Sequence, residues 1–216
     1  MSSDTPRLAP LSGKARQLVV LLHGYGADGA DLLSLGQHWQ HALPGAAFAS
    51  PNAPTQVPGS PGYQWFPLRT LDSNDVTPGA ASAAPGLEAF LEAELKAQDV
   101  APENLVLVGF SQGAMMALYV GLRRKVPPAA ILAFSGQLPG LIPQPAPGGH
   151  YSPVFISHGD SDNVVPPQLM FLAMGAMQQV GITPDWHLAR GVAHGIDPES
   201  LELAGQFLLK ALANRP

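Results

Sequence analysis

The sequence predicts an α/β protein: a mostly parallel sheet with helices on both faces. Three observations carry this. Short apolar runs alternate with longer amphipathic ones, the short runs lack the period-two alternation of half-exposed strands, and the long runs repeat at helical spacing. With 216 residues, 46% of them hydrophobic, the chain can bury a sizeable core and fits a single domain over residues 1–216.

Strands are predicted at residues 18–22, 46–49, 105–108, 130–134, 154–157 and 185–188. Their leucine and β-branched content suits strands covered on both faces. Leu32, Leu35 and Trp39 mark a first helix and Leu87, Phe90, Leu91 and Leu95 a second. Ala114, Leu118, Tyr119 and Leu122 mark the next, directly after the third strand. Leu169, Leu172, Ala173, Ala176, Met177 and Val180, then Leu201, Ala204, Phe207, Leu208, Ala211 and Leu212, repeat at i, i+3, i+4 and i+7 and close the series. Methionines and aromatics in these stripes read as core. Residues 51–85, rich in Pro, Gly, Ser and Ala, and residues 136–153 show neither period and read as long loops, which in a compact domain are usually functional flaps. No internal repeat is present.

Composition removes several function classes. Charged residues are 12% of the chain, the net charge is −5, and no basic run exceeds Arg123-Arg124-Lys125, so nucleic acid is not an expected partner. The absence of cysteine excludes disulfides, zinc-thiolate sites and a cysteine nucleophile. Met1-Ser2-Ser3-Asp4-Thr5-Pro6 lacks the charged and apolar regions of a signal peptide, and no apolar run approaches ~18 residues. A cytoplasmic protein without an integral membrane segment is expected.

Gly109-Phe110-Ser111-Gln112-Gly113 lies between the strand at 105–108 and the helix that follows. A serine hydroxyl is a poor nucleophile at neutral pH. A sharp strand-to-helix turn pushes Oγ out of the backbone toward a base, and the crowding of that turn calls for glycine two residues before and two after. In a chain with 23 Gly, random placement alone gives about 0.16 such pentapeptides, so it is the position that carries the reading.

A nucleophile of this kind needs an acid and a histidine later in the chain, each in a loop after a later strand. The strand at 154–157 runs into His158-Gly159-Asp160-Ser161-Asp162, and the strand at 185–188 is followed by Ala193-His194-Gly195. Asp162 is the candidate to orient His194, with Asp160 as a competitor, and His194 is the candidate base for Ser111. His187 falls within a strand, His38 and His41 on or near the first helix, and His150 in a Pro/Gly loop; His23 and His158 read as structural turn residues. Two backbone N–H groups should stabilise the oxyanion. Gln112, at a helix start, is one, and Tyr25, in the Leu22-His23-Gly24-Tyr25-Gly26 turn, is the other.

Leu22-His23-Gly24, the pentapeptide around Ser111, His158-Gly159-Asp160-Ser161-Asp162 with Val165-Pro166, and Ala193-His194-Gly195 together resemble the phospholipase/carboxylesterase family of α/β-hydrolases, which includes the acyl-protein thioesterases. The resemblance implies an α/β-hydrolase fold, Ser111, Asp162 and His194 as catalytic triad, and Gln112 and Tyr25 as oxyanion donors. It favours the second aspartate of the acid loop, Asp162, over Asp160. Many relatives carry a small aliphatic residue where this chain has Tyr25, a difference that bears on substrate preference rather than on the N–H.

Residues 136–153 are too few for a helical cap domain, so an open groove is expected. Trp65, Phe66 and Leu68 are candidates for its apolar wall, against the alternative that Trp65 and Phe66 pin a long loop to the core. The expected function is a carboxylesterase: a serine hydrolase of short to medium acyl esters or thioesters acting through an acyl-enzyme, with no cofactor and no metal. Lysophospholipase and acyl-protein thioesterase activity are alternatives within that class, because no residue reports the leaving group. A non-catalytic binding module of the same fold is the alternative outside enzymes. A metal-dependent hydrolase using His158, Asp160 and Asp162 is disfavoured by their tight turn spacing. The expected partner is a small-molecule acyl ester or thioester, and a homodimer is carried as a candidate assembly.

Overall fold

The computed structural model describes residues 5–213. Seven strands form one sheet: β1 (Arg7–Leu8), β2 (Gln17–Leu22), β3 (Ala46–Ala49), β6 (Leu105–Phe110), β7 (Ala130–Phe134), β8 (Val154–Gly159) and β9 (Asp185–Ala189). A separate two-stranded hairpin joins β4 (Thr55–Gln56) to β5 (Tyr63–Gln64). The sheet order is β1-β3-β2-β6-β7-β8-β9, parallel throughout except for β1, which runs antiparallel to β3. Each of the six predicted strands forms, within two residues of its expected ends.

The helices are α1 (Gly29–Trp39), α2 (Ser73–Gln98), α3 (Gln112–Gly121), α4 (Gln168–Gln179) and α5 (Pro198–Leu212). Period two along the central strands divides the core into two layers. Val19, Leu21, Val106, Val108, Leu132 and Phe134 face α1 and α5, while Val20, Leu22, Leu105, Leu107, Ile131 and Ala133 face α2, α3 and α4. Both faces are covered, which is why these strands carry unbroken apolar runs. This is the α/β-hydrolase architecture. Residues 136–153 hold no helix or strand, so no cap stands over the sheet there.

Two expectations need correction. The long loop expected at 51–85 is helical from Ser73 onward. Asp72 caps that helix through the Asn74 N–H, and Val76, Ala80 and Ala83 bury at helical spacing in register with Leu87, Phe90, Leu91 and Leu95. Alanines carry the period too weakly to read beside Pro78 and Pro85, whose rings are exposed, so that the carbonyls they leave unbonded face water. The strand β1 was not expected at all; two residues are too few for a period.

Candidate active site

The strand order reverses between β2 and β6. From β2 the chain crosses through α1 to β3 on one side; from β3 it returns through α2 to β6 on the other. Ligand crevices of parallel sheets form at such a point, beyond the carboxyl ends of the strands. Here those ends are Leu22, followed by His23-Gly24-Tyr25, and Phe110, followed by Ser111.

Ser111 has φ 55° and ψ −117°, a conformation that costs a non-glycine residue energy and persists only where its surroundings impose it. Those surroundings are backbone. A Cβ on Gly109 would stand 2.2 Å from the Gly113 carbonyl oxygen, and one on Gly113 would stand 1.9 Å from that of Leu22. Both flanking glycines are therefore dictated by close approach, and the Ser111 N–H anchors the turn by donating to Phe134 O at 2.8 Å. Gln112 begins α3, so its N–H has no partner within that helix. Tyr25 sits in a turn closed by the Ala27 N–H on Gly24 O, with its own side chain exposed.

Asp162 is buried in the loop after β8. Its Oδ1 accepts the N–H groups of Val164 and Val165, both at 2.9 Å, and its Oδ2 faces His194 Nδ1 at 2.7 Å. Burial opposes ionisation of this carboxyl, but the hydrogen bonds from His194, Val165 and Val164 outweigh it and hold the group below the usual carboxylate range. A carboxylate at Nδ1 fixes the tautomer with the proton there, leaving Nε2 of His194 as an acceptor. The imidazole packs 4.8 Å, centroid to centroid, from the ring of Phe110, the residue before Ser111. Its loop is tied to the same rim by Ser135 Oγ on Gly195 O and by the Ser161 N–H on Val192 O. Asp160, the competitor, is exposed and accepts from Ser161 Oγ and the Gly191 N–H instead.

His23 and His158 are the structural residues expected. His23 donates from Nδ1 to Gly24 O and accepts the Ala53 N–H on Nε2. His158 Nε2 lies 2.8 Å from Val165 O and 3.2 Å from Asp162 Oδ2. Burial lowers both pKa values and keeps both rings neutral. His38, His41 and His150 are exposed. Among the described residues, the ligand atoms of His187, Asp197 and Glu199 come within 4.8 Å of one another, but Asp197 is committed to capping α5 through Ser200. His158, Asp160 and Asp162 form no such group.

Trp65 and Phe66 do not form an exposed wall. At 2% and 1% exposed they belong to the core layer beneath α2, where Gly79 lets the helix come down onto the Phe66 ring. Leu68 is half-buried. A groove of about 220 Å³ lies instead where Leu71, Val76 and Thr77 meet Leu138, Leu169 and Leu172. The loop forming one side of it starts against the elbow, since a Cβ on Gly136 would stand 3.1 Å from Ser111 O. Sequence reasoning also missed the side chain of Gln112, whose Oε1 accepts the Trp65 N–H while Nε2 donates to Phe66 O.

Comparison with known proteins places the chain among its relatives. The pattern of the Phospholipase/Carboxylesterase family matches residues 4–212. Acyl-protein thioesterase 1 of Saccharomyces cerevisiae is 30% identical over 224 residues, covering 96% of this chain and 98% of the yeast protein. Acyl-protein thioesterase 1 homolog 1 of Dictyostelium discoideum is 28% identical, covering 90% of each. Among solved structures, esterase PE8 superposes with a TM-score of 0.88 at 41% identity, over 96% of this chain and 98% of the other. The Bacillus cereus carboxylesterase shares the fold, with a TM-score of 0.79 at 18% identity over 97% and 95%. The chain belongs to the phospholipase/carboxylesterase family.

Proposed function

We propose that the protein is a serine hydrolase that cleaves carboxylic esters, thioesters included, of short to medium acyl chains. The observation that carries this is the strained Ser111 at the reversal point of the sheet, with the His194–Asp162 pair at 2.7 Å packed against the neighbouring Phe110. His194 Nε2 takes the Ser111 proton as Oγ attacks the acyl carbon, and the N–H groups of Gln112 and Tyr25 receive the oxyanion. Collapse expels the alcohol or thiol, protonated by His194, and leaves an acyl-enzyme. Water, deprotonated by His194, then releases the acid and restores Ser111. In this reading the apolar groove between α2, α4 and the loop that starts at Gly136 accommodates the acyl chain, and the absence of a cap over residues 136–153 leaves room for a bulky leaving group.

Substitution Ser111→Ala tests the reading. Turnover of p-nitrophenyl esters should vanish, and a fluorophosphonate probe should label the parent protein at Ser111 alone. Unchanged turnover in the variant would sink it. Similarity to two acyl-protein thioesterases favours thioesters as a second substrate group. A panel of paired esters and thioesters across chain lengths decides between them by kcat/KM.

A further inference from the structure

Trp65 donates two hydrogen bonds, one from its side chain and one from its backbone. Its indole Nε1–H donates to His23 O at 2.9 Å, on the turn that carries Tyr25. Its backbone N–H donates to the Gln112 side-chain oxygen at 2.9 Å, and that same amide donates at 2.7 Å to Phe66 O. The preceding residues extend the tie, because Gly26 N–H donates to Tyr63 O and Tyr63 N–H to Ala27 O, both at 2.8 Å. Segment 63–66 therefore holds both of the backbone stretches whose N–H groups serve as oxyanion donors. The bonds from Trp65 and Gln112 are buried, where an unmade hydrogen bond is costly and a made one fixes geometry.

We propose that Trp65 is a positioning residue for the oxyanion hole, setting the separation of the Gln112 and Tyr25 N–H groups through its bonds to the Gln112 amide and His23 O. This rests on the reading of Gln112 and Tyr25 as oxyanion donors. It assigns Trp65 a part in stabilising the transition state and none in contacting the acyl chain. The β2–β6 ladder ends at Leu22 and Gly109, and both oxyanion donors lie beyond it, one in the turn after β2 and one at the start of α3, where the bonds from Trp65 join the two segments. An oxyanion donor displaced by a fraction of an ångström loses much of its effect, because it must meet the charge where it develops.

Substitution Trp65→Phe keeps an aromatic ring in the core while removing the Nε1–H together with part of the indole, so some loss of Tm accompanies it. The expected result is a fall in kcat of about tenfold, with KM within about twofold, on p-nitrophenyl esters. Affinity for an alkyl trifluoromethyl ketone, whose adduct places an oxyanion in the hole, should fall by the same factor. Affinity for the matching methyl ketone, which forms little adduct, should not change. A purely structural Trp65 would lower Tm and leave the ratio of the two ketone affinities alone. Gln112→Met, which breaks the other end of the brace but keeps the backbone N–H, should give the same pattern, and it decides the matter if Trp65→Phe fails to fold. Unchanged kcat and ketone ratio, or a loss that grows with acyl-chain length, overturns the proposal. Ser111→Ala run alongside separates the two failures: if it stays active, the hydrolase reading falls, and if it is dead while Trp65→Phe matches the parent, only the role of Trp65 falls.

Discussion

Replacing Asp162 by asparagine changes one atom in a buried site where every lone pair is in use. Oδ1 accepts from Val164 and Val165, and Oδ2 is approached by His194 Nδ1 at 2.7 Å and His158 Nε2 at 3.2 Å. An amide has one accepting oxygen. If it stays on the Val164 and Val165 N–H groups, which are fixed by the backbone, the new NH2 points at the two imidazoles. His194 can satisfy that donor only by presenting an unprotonated Nδ1, which moves its proton to Nε2 and removes the acceptor for Ser111. The opposite amide orientation sets a donor against two backbone N–H groups and is worse. The geometry thus converts a one-atom change into the wrong tautomer, a defect worth about 10⁴ in kcat, or about 5.4 kcal/mol of transition-state stabilisation. KM should change little, because the acyl ester does not touch Asp162 in this scheme. Steady-state hydrolysis of a p-nitrophenyl ester by Asp162→Asn, with Asp160→Asn as control, measures it. Exposed Asp160 should tolerate the change to within about threefold. A kcat for Asp162→Asn within tenfold of the parent, or equal losses in the two variants, would refute the assignment of the acid.

The two buried histidines make stability depend on pH. Burial lowers the folded-state pKa of His23 and His158 below 6.5, so between the two values the unfolded chain binds more protons than the native one. Their stabilising effect is fully present above about pH 6.5 and is lost as pH falls below it, by at most about 1.4 kcal/mol per pH unit for each ring. Tm should therefore drop by about 5–10 °C from pH 6.5 to 5.5 at that limit, and His158→Asn should flatten the slope; a pH-independent Tm over this range contradicts the neutral assignment. Two glycines give a matched pair for urea unfolding. Gly113→Ala drives a Cβ to 1.9 Å from the Leu22 carbonyl and should cost several kcal/mol or prevent folding, about the largest effect of a single substitution. Gly86→Ala, inside α2 with open space at its Cβ position, should stabilise by about 0.5–1 kcal/mol.

What could be read from the sequence and what could not follows from where information sits in a chain. The central strands and the amphipathic helices were legible because burial on two faces forces unbroken apolar runs and a 3.6-residue period forces stripes. The elbow was legible because backbone approach at Gly109 and Gly113 leaves glycine as the residue that fits, so the constraint is written in the residue type. The first part of α2 was hidden, since Val76, Ala80 and Ala83 bury little area each and two prolines speak against a helix. Trp65 and Phe66 were ambiguous for a different reason. An aromatic pair in a long irregular segment has the same composition whether it faces a ligand or the core, and nothing local distinguishes the two.

Under the proposed role of Trp65, rate and selectivity rest on different residues of the site. With Trp65 and Phe66 in the core, the apolar surface near the elbow is supplied by the start of α2, by Leu138 and by Leu169 and Leu172 of α4. Those residues stand on two helices and an irregular loop, and among the described residues none of them hydrogen-bonds to Ser111, His194 or Asp162. On the proposed mechanism, Trp65 acts on the oxyanion turn and the elbow while the groove residues meet the acyl chain, although Phe66 and α2 touch at Gly79. On that mechanism, substitution of the outer groove residue Leu172 is expected to shift chain-length preference with little change in kcat for short esters, whereas substitution of Trp65 is expected to lower the rate for every substrate alike.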